Sequence, residues 1–211
     1  MRGLIYKDIT IFFKSMDKKM ILFAAAMIVA GMFVTNSLAG FFGTFMLALF
    51  TGIQNILCIP CDEKIDWKKY QHAMPVSTFS VVMSKYLSVL CTASVISVLG
   101  GLVFNLIAGV IYRTFDPAIW LCSFITALIF PLVWNAVCLP LSYWFGFRGA
   151  QSMGILMVFP VCFTVKYFEN GPGLSLMTDF LSSYELAALP ATAVLLAVSY
   201  MISVAGYERR K

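Results

Sequence analysis

The sequence predicts an all-α integral membrane protein. It should have six transmembrane helices, an amino-terminal interfacial amphipathic helix and a short cytoplasmic helix after the second span. Three observations predict this. Long runs carry no charge, the longest from Met20 to Pro60. Lysine and arginine fall almost wholly on one side of the implied membrane. One charged stretch, Asp62 to Lys85, stands between two blocks of membrane-grade hydrophobic sequence. With 61% of its 211 residues hydrophobic and 12% charged, a soluble domain could not cover the apolar surface, so residues 1–211 read as a single membrane domain.

Residues 1–19 come first. The segment 3–19 is too short and too polar to cross a bilayer. Ile5, Ile9, Phe12 and Met16 recur at helical spacing on one face, and Lys7, Thr10, Lys14, Asp17 and Lys18 fall largely on the other. That pattern suits a helix lying in the interface plane; a plain continuation of the first span is the alternative. Ser37-Leu38-Ala39 before Gly40 resembles a signal-peptide cleavage site. However, the 19 residues before the apolar run are long for such a leader and carry acids as well as bases. The first run is therefore expected to be retained as a span.

The uncharged run from Met20 to Pro60 is about twice what one crossing of a ~30 Å core needs. A break near Asn36 to Gly40 divides it into spans at about 20–36 and 41–60, a tight hairpin. Pro75 and Ser77 then announce a new helix. The third span, about 79–112, exceeds the hydrocarbon thickness and should tilt or protrude. Lys85 lies in its first turns, from where it can snorkel to the interface. Ala93, Ser97, Gly101, Asn105 and Gly109 recur every fourth position, a small-residue stripe that permits close helix packing in lipid. The fourth span covers about 118–145, with Pro131 and Pro140 as kink candidates. A short fifth span follows at about 152–165. Residues 166–185 are too polar to span and read as an extracellular excursion with a small amphipathic helix. The last span is about 186–207.

Six spans place both termini on the same side. That side receives thirteen of the fifteen basic residues; only Arg113 and Lys166 fall on the other. The asymmetry predicts cytoplasmic termini and a cytoplasmic 62–85 stretch in a multi-pass protein of the cell membrane. The net charge of +5 is then an orientation signal and implies no nucleic-acid partner.

Several chemistries lack their residues. No expected span holds a carboxylate, arginine or histidine near its centre, as an ion-coupled carrier would need. The sole histidine, His72, lies in the charged stretch, and no HExxH, GxSxG or GxxxxGK[ST] pattern occurs. An enzyme is not expected, nor is a cofactor. Cys58 and Cys61 form a CxxC pair, but two ligands are too few for zinc and no second pair follows. They read as packing thiols, and no metal site is expected.

The charged stretch has more order than a solvated loop needs. Trp67, Tyr70 and Met74 share one helical face, with Lys64, Lys68, Lys69 and Gln71 around it. Aromatic anchors on a short helix suit insertion into a partner's groove. They equally suit a helix floating on lipid headgroups. Residue chemistry alone leaves both open.

Three features make the chain resemble the small permease subunits of type-2 ABC exporters. The first is the amino-terminal GLIYKDI, with Lys7-Asp8 before the first span. The second is DEKIDWKKYQHAMPVSTFSVVMSKYL, with its Asp62-Glu63-Lys64 start, Met74-Pro75-Val76-Ser77 turn and Lys85-Tyr86-Leu87. The third is the six-span layout with a polar excursion before the last span. Met74 stands where the family usually has leucine. The resemblance implies that residues 62–75 form a coupling helix seated in a separate ATP-binding cassette subunit, through Asp62, Glu63, Lys64, Trp67, Tyr70, Met74 and Pro75. It implies that the 3–19 helix, with Lys7, Asp8 and Phe12, is the interfacial connecting helix beside it. It also implies a second permease chain, identical or related, and a gate built from 166–185. Families of this kind move lipids, drugs or amphipathic peptides, and an amphipathic or antimicrobial peptide is the cargo expected here. A membrane-embedded peptide-binding or immunity protein that sequesters without pumping is the alternative.

Overall fold

The computed structural model describes residues 2–35, 39–59, 77–113, 117–149, 151–152 and 173–209. Among the described residues there is no strand. The main helices are α1 (Arg2–Ser15), α2 (Lys18–Thr35), α3 (Ala39–Leu57), α4 (Thr78–Tyr112), α5 (Pro117–Phe145) and α6 (Gly173–Arg209). Four stretches among these residues are long and apolar enough to cross a membrane: Ala39–Leu57, Thr78–Tyr112, Ile119–Phe145 and Ala188–Arg209. The segment expected as the first span is the helix α2. The expected fifth span, 152–165, lies outside the described residues except for Ser152.

Local chemistry accounts for the boundaries. Ser77 caps α4: its hydroxyl accepts from the Ser80 backbone N–H at 3.3 Å. At the far end Arg113 takes the left-handed conformation, φ 52°, that closes a helix. Gly146, with φ 79°, closes α5 in the same way. The 35 residues of α4 make a helix of about 50 Å, well beyond a ~30 Å core. The α6 helix is longer still, at 37 residues. From Gly173 onward, the segment expected as a separate excursion is continuous with the last span. No glycine or proline lies between Leu174 and Leu189 to stop the helix.

The helices are arranged with polar groups inward and apolar groups outward. Thr44, Thr51, Gln54, Asn55, Thr92, Ser97, Asn105 and Asn135 are buried, whereas Val95, Leu99, Val103 and Val110 on α4 and Val194, Val198 and Met201 on α6 are exposed. This inversion of the soluble pattern fits a bundle whose outer surface meets lipid. The α3 helix packs against α2, α4 and α5, while α6 packs against α5 and α4. The α1 helix lies against the start of α4.

Close approach and hydrogen bonding hold α3 to α4. A Cβ on Gly40 would sit 2.5 Å from Asn105 Oδ1, so only glycine admits that amide. Asn105 Nδ2 donates to Thr44 Oγ1 at 3.3 Å, and Ser123 Oγ on α5, whose shorter contact is to the Ile119 carbonyl at 2.7 Å, lies 3.3 Å from Asn105 Oδ1. Further along, Thr51 gives its proton to the Ala48 carbonyl, so Ser97 donates to Thr51 across 3.4 Å. Thr92 Oγ1 lies 3.2 Å from Asn55 Oδ1. Interhelical bonds of this kind contribute about 0.6 kcal/mol each in lipid, so the seam acts through its number of links.

Candidate functional site

Element ends gather the candidate site at one end of the bundle. The carboxyl ends of α3, α5 and α6 meet the amino end of α4 there, and α1 lies alongside. Thr78 Oγ1 is 3.4 Å from Glu208 Oε1, and the Tyr143 and Tyr207 rings meet edge to face at 5.9 Å. Ser15 of α1 is 3.4 Å from Cys58 Sγ just past α3 and accepts from Gln54 Nε2 at 2.9 Å. Arg2, Lys7, Lys14, Lys18, Lys85, Arg148 and Arg209 belong to these ends by their positions along the helices. Arg113 belongs to the opposite end, at the close of α4.

The central feature is ionic. Lys85 Nζ lies 3.2 Å from Asp8 Oδ1, and both side chains are largely withdrawn from solvent. Lys7 Nζ approaches the same carboxylate oxygen at 3.2 Å. A buried carboxylate is tolerated only with such partners. Beside the pair, Leu4 packs against the buried cluster of Val81, Val82, Val204 and Tyr207. Thus α1 is fixed to α4 by charge and by apolar packing together.

This arrangement turns α1 relative to the sequence expectation. Phe12, placed with Ile5, Ile9 and Met16 on a lipid-facing surface, is 1% exposed, and Asp8 is buried on the same side. Tyr6 and Phe13 point outward instead, at 75% and 58% exposure. Positions 4, 8, 12 and 15 form one helical stripe. A carboxylate within that stripe hides the contact face from an apolar-periodicity reading. Lys85 likewise differs from the snorkelling residue expected from its position. It is 9% exposed and directed at Asp8.

The remaining expected residues are placed as follows. Asp62, Glu63, Lys64, Trp67, Tyr70, Met74 and Pro75 lie outside the described residues. The described chain on either side of them is bound to α1, through Ser15 with Cys58 before the stretch and Asp8 with Lys85 after it. Ala93, Ser97, Gly101, Asn105 and Gly109 are all buried in α4. Ser97 meets Thr51, Gly101 meets Thr44, and Asn105 meets Gly40 and Thr44. No group of three or more histidine, cysteine or acidic residues that could hold a metal occurs among the described residues.

Residues to which sequence reasoning assigns no role complete the site, Tyr86 among them although it belongs to a motif that carries the resemblance. Tyr86, next to Lys85, lies with its hydroxyl 2.6 Å from Ser199 Oγ and 2.8 Å from Ser203 Oγ on α6. Ser199 Oγ donates to the Ala136 carbonyl of α5 at 2.5 Å. Trp144 of α5 donates from Nε1 to the Ile202 carbonyl at 3.0 Å, and Arg209 sits 5.3 Å over its ring. The sequence signal was the Lys85-Tyr86 pair itself, which belongs to the stretch carrying the resemblance. These groups bind helices to one another, and what they can transmit is mechanical displacement.

Comparison with known proteins adds the family. Searches of curated proteins and of solved structures each returned no match. The family model for ABC-2 family transporter proteins matches residues 3–208, nearly the whole chain. The bundle with lipid-suited outer faces, joined at one end through Lys7-Asp8 and Lys85-Tyr86, is therefore a membrane permease domain, and the chain belongs to the ABC-2 family of transporters.

Proposed function

We propose that this chain is the transmembrane permease subunit of an ABC exporter, driven by separate ATP-binding cassette subunits. Six spans, α2 and the segment 152–165 included, form each half of the translocation path, and a second permease chain supplies the other half. Both termini and the 62–85 stretch face the cytoplasm, in keeping with the thirteen-to-two distribution of basic residues. Residues 62–75 form the coupling helix, with Trp67 and Tyr70 as its anchors in the ATP-binding subunit. The α1 helix lies at the membrane surface, and residues 166–185 contribute to an external gate.

The observation that carries this reading is the Asp8–Lys85 contact. The coupling stretch re-enters the membrane through the start of α4, and that turn of α4 is clamped to α1. A push on the stretch therefore moves α1 and α4 together. The ionisable group of the membrane-crossing stretches that this reading uses is Lys85, in the first turns of α4, and its part is to tie α4 to α1. The cargo class proposed is an amphipathic peptide, whose uptake into inside-out vesicles can be followed directly.

The test is ATP turnover by the cognate ATP-binding subunit reconstituted with this chain. Trp67→Ala with Tyr70→Ala should abolish permease-dependent stimulation while leaving membrane insertion intact. Undiminished stimulation by the double variant would sink the coupling assignment.

A further inference from the structure

Pro140 lies inside α5 and has no N–H to offer the carbonyl four residues earlier, that of Ala136. The missing bond is supplied from another helix: Ser199 Oγ of α6 donates to the Ala136 oxygen at 2.5 Å. Ser199 has one proton and spends it there. Its 2.6 Å contact with Tyr86 Oη therefore requires Tyr86 to donate to Ser199. Tyr86 then has no proton left for Ser203 at 2.8 Å, so Ser203 donates to Tyr86. The chain runs one way only, Ser203 to Tyr86 to Ser199 to the Ala136 carbonyl. It joins α6, α4 and α5, and it is deeply placed: Ser199 is 4% exposed and Ser203 0%.

We propose that this chain is a latch on a hinge in α5. Pro140 divides off the last turns of α5, and Ser199, held by Tyr86, closes the gap on the inner side. Beyond the break, Trp144 and Tyr143 pack on α6, so the terminal turns follow that helix. Tyr86 adjoins Lys85, the residue that α1 clamps. Displacement of α1 and the start of α4 withdraws the Tyr86 hydroxyl, frees Ser199 and lets α5 bend at Pro140. The latch is argued from Pro140 and the hydrogen-bond chain, and its release through α1 and the start of α4 rests on the coupling proposed above.

The test is a double-mutant cycle on the full chain in lipid nanodiscs, read by amide exchange of peptides covering 136–145. Ser199→Ala should speed exchange there about tenfold, the loss expected when a buried carbonyl is left unpaired. Tyr86→Phe, which keeps the ring and removes the proton, should speed it less. Ser199→Thr should restore protection. In a Pro140→Ala background the new N–H pairs with Ala136, and both losses should fall to a small fraction. Equal losses in both backgrounds, or no loss in either, would overturn the latch. Thermal unfolding measured on the same samples separates local opening from a chain that has failed to fold.

Discussion

Lys85 Nζ on α4 lies 3.2 Å from Asp8 Oδ1 on α1, joining residues 77 positions apart in the chain. Each charge depends on the other. Asp8→Asn should therefore destabilise the protein by about 3 kcal/mol, because it removes the buried carboxylate that both Lys85 and Lys7 approach at 3.2 Å. The double variant Asp8→Leu with Lys85→Met should recover most of the loss, since no charge is then buried. Thermal unfolding in detergent measures both. Equal destabilisation by the single and double variants would mean that the pair is not the linking element.

The α3–α4 contact makes a second prediction. Gly40→Ala forces a methyl to within 2.5 Å of Asn105 Oδ1, with Asn105 backbone at 3.1 Å behind it. The expected cost is about 1–3 kcal/mol for overpacking. Asn105→Ala should lower that cost in combination, because removing the amide opens the space. Additive losses in the double variant would show that the clash lies elsewhere.

Orientation can be read without any cargo. Ser77 and Arg113 are exposed at opposite ends of α4. In a cysteine-free version, a membrane-impermeant maleimide applied to intact cells should label Arg113→Cys and leave Ser77→Cys unlabelled until the cells are opened. The reverse pattern would place the charged stretch outside and remove the proposed partner's access to it.

Much of the fold was legible because lipid imposes one dominant pattern. Charge-free runs marked α2, α3, α4 and α5, and Ser77 marked the start of α4 through its capping hydroxyl. The stripe from Ala93 to Gly109 was visible as small residues at every fourth position, and these residues are buried. What escaped depends on contacts between distant segments. Nothing local to Lys85 announces Asp8, and nothing local to Ala136 announces that Ser199 will serve its carbonyl. The face of α1 was misplaced because a carboxylate in its contact stripe breaks the apolar periodicity. The continuity of residues 173–185 with the last span is hidden from sequence because polarity suggests a boundary where no helix breaker exists.

The central claim is that work enters through the cytoplasmic stretch. The most direct measurement places a photo-crosslinking amino acid at Trp67, and separately at Arg113, in membranes containing the cognate ATP-binding subunit. The account predicts a crosslink to that subunit from position 67 and none from position 113. Crosslinks from position 67 to lipid alone, or to the ATP-binding subunit from position 113 instead, would contradict it.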